Sequence, residues 1–177
     1  IKKDIGPFRL IENIYAGIFI VFSIYSFLLY LQTGKKVYLF YAIFQVLIYL
    51  PMATRILSMT FLDSYSAVFL TFVSLMQVGS YYFYFLFVEH FLKVKTFSPV
   101  ISKILFIGRV IVVVYTIVIT ISFFTLSTDT VFIIFSIARG LMLVIGLGAI
   151  ILSFFKTIPL SGYIAAGSLS LAVCAGA

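Results

Sequence analysis

The sequence predicts an all-α fold, a polytopic bundle of membrane-spanning helices, and three observations carry that prediction. Of its 177 residues 64% are hydrophobic and only 10% charged, against roughly 45–50% and 25% in a soluble domain. The apolar residues fall into runs of about 20 or more, the length of helix that crosses a bilayer. The breaks between runs are short and hold glycine, proline, serine, threonine and lysine, the residues that end one helix and start the next. No aqueous core of this size hides so much apolar surface. In lipid the outward faces need no hiding, and a helix satisfies its own backbone groups.

Residues 1–10, with Lys2, Lys3, Asp4 and Arg9 around Gly6 and Pro7, read as a short connector, and residues 11–177 as the transmembrane bundle. Six spans are expected, at about 11–31, 37–57, 64–91, 100–124, 131–155 and 161–177, with a seventh to follow. The first stops at Gln32-Thr33-Gly34-Lys35-Lys36, where glycine just past a helix end suits a left-handed cap. Pro51 lies inside the second span and predicts a kink, because proline removes one backbone hydrogen bond and crowds the preceding turn. The third span, of roughly 28 residues, would reach about 42 Å, more than the roughly 30 Å hydrocarbon core. Its Glu89-His90 end is expected to project past the headgroups as a solvated helix end. Ser98-Pro99 then supplies a helix cap and a proline at the first helical position. A polar turn over residues 125–130 opens the fifth span. The sixth begins at Ser161 and does not finish. With no methionine at Ile1, the chain is expected to be part of a longer protein.

The formal net charge of +7 does not point to nucleic acid, because the basic residues are scattered between apolar runs rather than gathered on one element. Topology explains them better. With residue 1 outside, the inner connectors hold Lys35, Lys36, Lys93, Lys95, Lys103 and Lys156, and the outer side holds Lys2, Lys3, Arg9 and Arg55. Lysine and arginine favour the cytoplasmic side of span ends. The expectation is an inner-membrane protein with an extracytoplasmic N-terminus and the lipid bilayer as its first partner.

Chemistry-bearing residues are few. Arg139 lies well within the fifth span, where a charge must face the bundle, pair, or touch a water-filled cavity; it is the candidate intramembrane switch or ligand contact. Arg109 and Arg55 lie nearer span ends and are expected to snorkel to the headgroups. Glu89, His90, Lys93 and Lys95 form a candidate inner connector, and Pro51 is a candidate moving part. A lone histidine and a lone cysteine, Cys174, assemble no metal or haem site, and no hydrolase, zinc-protease or phosphate-loop motif occurs. No catalytic residue, cofactor or metal is therefore expected, and any enzymatic domain would lie outside these residues. Ser168, Ala172 and Gly176 recur every fourth residue, a small-residue face that packs within the bundle or, alternatively, against a second copy or a larger complex. Gly140, Gly146 and Gly148 could serve the fifth span in the same way.

Several stretches together resemble the bacterial seven-transmembrane receptors with diverse intracellular signalling modules. They are Ile14-Tyr15-Ala16-Gly17-Ile18-Phe19 in the first span, Gly34-Lys35-Lys36 turning into Tyr38-Leu39-Phe40-Tyr41, Phe91-Leu92-Lys93 through Pro99, and Ser161-Gly162-Tyr163. The resemblance implies a sensory domain before the first span and an output domain, such as a histidine kinase or diguanylate cyclase, after the seventh. It carries over no ligand or catalytic residues. The expected role is to relay an extracytoplasmic signal inward. The alternative is a transporter or an accessory subunit of a membrane complex, although no internal repeat or pair of broken helices favours transport.

Overall fold

A computed structural model of the chain describes residues 6–61, 67–125, 128–156, 158 and 161–166. The elements are α1 (Gly6–Thr33), α2 (Lys36–Phe61), α3 (Ala67–Phe91), α4 (Val94–Phe97), α5 (Pro99–Thr125) and α6 (Thr128–Phe155), and residues 161–166 are again helical. Every regular element among the described residues is α-helical. Three stretches, Thr71–Phe91, Pro99–Thr125 and Ile133–Phe155, are long and apolar enough to cross a membrane, and the described side chains of α1 and α2 add the apolar stretches Gly17–Thr33 and Lys36–Leu50. The small-residue face at Ser168, Ala172 and Gly176, with Cys174, lies outside the described residues.

Short connections make each helix reverse and pack on the one before it. α1 lies on α2, α2 on α3, α3 on α5 and α5 on α6, and α6 returns to touch α3. α3 is therefore the hub. The core runs along its inward face through Val78, Phe85 and Val88, and meets Ile101, Leu105, Val112 and Ile119 of α5 with Met142 and Ala149 of α6. On α5 these residues recur at four or seven positions, which places them on one side of a helix. The opposite sides carry Phe106, Val113, Ile117 and Ile121 of α5 and Ile133, Ile137 and Val144 of α6, all exposed. Large apolar side chains on both faces are what a lipid-solvated helix requires.

Hydroxyls inside the bundle satisfy themselves on their own helices. Thr116 donates to the Val112 carbonyl at 2.9 Å, Thr120 to Thr116 at 2.7 Å and Ser153 to Ala149 at 2.7 Å. Bonding back by one turn is the available solution where water is absent. Ser23 instead reaches across to the Ala42 carbonyl of α2 at 3.3 Å.

Boundary residues behave as their chemistry predicts. Gly34 takes a left-handed φ of 66° and its N–H bonds the Tyr30 carbonyl at 2.8 Å, a left-handed helix cap. Ser98 is extended, at φ −156°, and accepts the Ser102 N–H at 3.2 Å as Pro99 opens α5. Other expectations are modified. α1 starts at Gly6, so residues 6–10 are already helical. α3 has 25 residues, about 38 Å, still longer than the roughly 30 Å hydrocarbon core. The segment after it is not a loop, because it contains the single turn α4. α2 runs through Pro51; the side chains of Pro51 and Arg55 lie outside the described residues.

Candidate functional site

At the end of α3 the chain turns between two buried anchors, Leu92 and Val94. Lys93 makes the turn with φ 46° and ψ 41°, a left-handed conformation that costs a residue with a Cβ about 1–2 kcal/mol. Burial of its two neighbours offsets that cost and leaves the Lys93 side chain outside. α4 follows, and the Ser98 N–H closes it on the Val94 carbonyl at 2.8 Å.

Glu89, one turn before this bend, is only 2% exposed. Its Oε2 lies 2.7 Å from Nη2 of Arg109 on α5, whose side chain is 15% exposed. Its Oε1 lies 3.4 Å from Nζ of Lys95 on α4, which is 73% exposed, and accepts a hydrogen bond from the Ser102 hydroxyl at 3.3 Å. The expectation of a solvated Glu89 and a snorkelling Arg109 is therefore corrected. The physical reason is helix direction. Side chains lean toward the N-terminus of their own helix, so Glu89 leans into the bundle while Arg109, on the antiparallel α5, leans out toward the connector. The two converge.

The grip is incomplete. Neither Glu89 Oε2 nor Arg109 Nε, both buried, has a hydrogen-bond partner, so charge attraction at 2.7 Å holds the pair. The guanidinium carbon sits 5.7 Å from the Phe106 ring centre, within range of a cation–π attraction. A buried pair of this kind contributes little to net stability, whereas removing one partner and leaving the other charge unpaired costs about 3–5 kcal/mol.

His90 is exposed, as expected of a helix end. Its Nδ1 lies 2.9 Å from the Leu86 carbonyl, so that nitrogen carries the proton, and its ring meets Phe40 of α2 edge-on at 5.0 Å. Glu89, His90, Lys93, Lys95 and Thr96 line an open cavity of about 200 Å³, smaller than the roughly 300–1,000 Å³ typical of ligand sites. No group of three metal-ligating side chains occurs among the described residues.

Arg139 is half-buried on α6 and hydrogen-bonds Tyr81 of α3. It thus faces the bundle, one of the ways an intramembrane charge is satisfied, and joins α6 to the hub without approaching the Glu89 cluster. The structure brings Glu89, His90, Lys93 and Lys95 together at one end, and leaves Arg139 apart from them.

Sequence reasoning missed three contacts. Arg109 as the partner of Glu89 was legible from helix polarity. Gly108 was not singled out, yet a Cβ there would lie 2.8 Å from the Phe85 ring and 3.1 Å from Ile145, whereas Gly140 and Gly148 have open space and Gly146 only ordinary contacts. Glycine lets α5 approach α3 at this one point. Third, Lys156 beyond α6 donates from Nζ to the buried Ser98 hydroxyl at 3.2 Å. That bond crosses 58 residues, and no local signal announces it.

Over residues 8–177 the sequence matches the family described as 7TM diverse intracellular signalling. Among curated proteins and among solved structures nothing matches.

Proposed function

The chain belongs to the 7TM diverse intracellular signalling family, and on that premise we propose that it is the signal-transducing membrane domain of a bacterial receptor. In this reading the bundle crosses the inner membrane seven times in the whole protein, six times within this chain, with the N-terminus extracytoplasmic. A signal received outside shifts the packing of the helices, and the shift passes to a cytoplasmic output domain where any catalysis takes place. A ligand produces such a shift only if it binds the two packings with different affinity.

The observation that carries the reading is the extent of the family match, which covers the whole helical bundle rather than one span. Charge placement supports the orientation. The antiparallel order of the helices puts Lys35, Lys36, Lys93, Lys95, Lys103 and Lys156 at the same end, as expected of the cytoplasmic side. Arg139, joined to α3 through Tyr81, is the intramembrane residue placed to sense a change between α6 and the hub.

Two measurements test the proposal. Cysteines substituted for the exposed Thr96 and Thr130, with Cys174 replaced by serine, are treated with a membrane-impermeant thiol reagent on intact cells. Thr130→Cys should react directly and Thr96→Cys only after permeabilisation; the reverse pattern overturns the orientation. In the full-length protein, Arg139→Leu should abolish or lock the output at normal membrane abundance. A chain found to carry no output domain beyond its last span would instead favour a transporter or an accessory subunit.

A further inference from the structure

We propose that Glu89 is the pivot of a counter-ion exchange latch. In one packing Arg109 of α5 holds its carboxylate, and in the other Lys95 of the connector holds it, so α5 moves along α3 without leaving a buried charge unpaired. The latch deepens the receptor reading, since it rests on the bundle having two packings.

Four observations converge on it. Glu89 is buried and offers one oxygen to each of two cations on different elements, Oε2 to Arg109 and Oε1 to Lys95. A single carboxylate between two competing cations has a second partner in place before the first lets go. Next, Arg109 reaches it through Nη2 at 2.7 Å and does not engage it with Nε, which is buried without a hydrogen-bond partner. The guanidinium also lies near the ring of Phe106, which is exposed on the outer face of α5. Leaning toward the end of its helix, Arg109 needs only to follow that ring outward to reach the headgroups.

Lys95 has the opposite character. It is mostly exposed, on a single helical turn bounded by the left-handed Lys93 and the extended Ser98. Its flexible side chain already lies 3.4 Å from Oε1, so it can close on Glu89 while Val94, in the same turn, stays in the core. Finally, the motion has somewhere to go. Ser98, the residue from which α5 starts, accepts the hydrogen bond from Lys156 beyond α6. Displacement of α5 therefore pulls on the segment that leads out of the described bundle.

Spin labels at Lys36→Cys on α2 and Lys103→Cys on α5, both exposed, report the movement in the full-length protein in membranes, with Cys174→Ser as background and distances read by pulsed electron resonance. Lys95→Gln should sharpen the parental distribution, because Arg109 becomes the sole partner. Arg109→Gln should move the main distance by about 1–2 Å or more, the scale of helix shifts in switching bundles. Lys95→Arg should restore the parental distribution. The Arg109→Gln, Lys95→Gln double variant leaves Glu89 unpaired, and its folded abundance should fall on the order of tenfold or more; adding Glu89→Gln should recover it. A merely structural ion pair predicts no effect of the exposed Lys95. Parental distances in Arg109→Gln, or a loss of folded protein in that single variant as great as in the double, would overturn the latch, as would failure of Glu89→Gln to rescue. No ligand or output enters the measurement, so a failed latch leaves the receptor proposal standing, and a failed receptor proposal is read from other data.

Discussion

The hub helix α3 meets α2 along one face and α5 along another, and the two seams are built from different material. Against α2 it lays a ladder of rings: Phe40 on His90 at 5.0 Å, Tyr41 on Phe87 at 4.8 Å and Phe44 on Tyr84 at 5.3 Å. Against α5 it places one fully buried ring, Phe85, over Gly108, and one buried charge, Glu89, on Arg109. Ring contacts are individually modest and many, so the loss of one is shared among the rest. The α5 seam concentrates its requirements at two points. A close approach works only with glycine, and a buried carboxylate works only when paired. Requirements of that kind admit a few discrete arrangements rather than a continuum, which is what a two-state element needs.

The largest way to break this contrast is Phe85→Ala. It removes the ring that fills the junction of α3, α5 and α6, and should cost about 3–5 kcal/mol, as large-to-small core changes do, measured by unfolding in mixed micelles with sodium dodecyl sulfate. Gly108→Ala comes next. The added Cβ meets Phe85 at 2.8 Å, and Phe85 has no room to give, so a loss of about 1–3 kcal/mol is expected from overpacking. The same change at Gly140 or Gly148, where nothing lies within 4 Å, should instead gain about 0.5–1 kcal/mol of helix propensity. Opposite signs from one chemical change would show that the close approach belongs to a single position. A smaller effect is expected on the other seam, where Phe87→Leu forfeits the ring geometry with Tyr41 and should cost about 0.5–1.5 kcal/mol. The smallest is Lys156→Met, which removes one hydrogen bond to Ser98 and should cost less than about 1 kcal/mol. Its mark would be a change in protection of the Ser98–Ser102 backbone from hydrogen exchange, with global stability nearly unaltered.

How much of this was legible in the chain alone differs by region. The helices and their caps followed from local chemistry. Gly34 had to be free to adopt positive φ, and Pro99 had to open a helix because it cannot sit far inside one. Arg139 announced itself, since a charge deep in an apolar run has few ways to be satisfied, although Tyr81 as its partner did not. Glu89 and Arg109 were both noticed and both misread, each taken as satisfied by its own helix end. Counting residues to a helix end ignores the direction in which a side chain leans, and that direction brought the two together. Gly108 was passed over for the more conspicuous run of Gly140, Gly146 and Gly148, because glycines in a sequence look alike until a neighbour approaches one of them.

The sequence by itself determined that this chain is an all-helical membrane protein and where its clearest caps lie, at Gly34 and at Ser98-Pro99. Those features depend on solvent preference and on backbone geometry over a few residues. Only the tertiary structure decided which charge is buried, which glycine is indispensable and which lysine ties α6 to α5. Those depend on side chains from antiparallel helices meeting at one depth. Residues 13, 20 and 58 positions apart in the chain become neighbours only once the bundle closes.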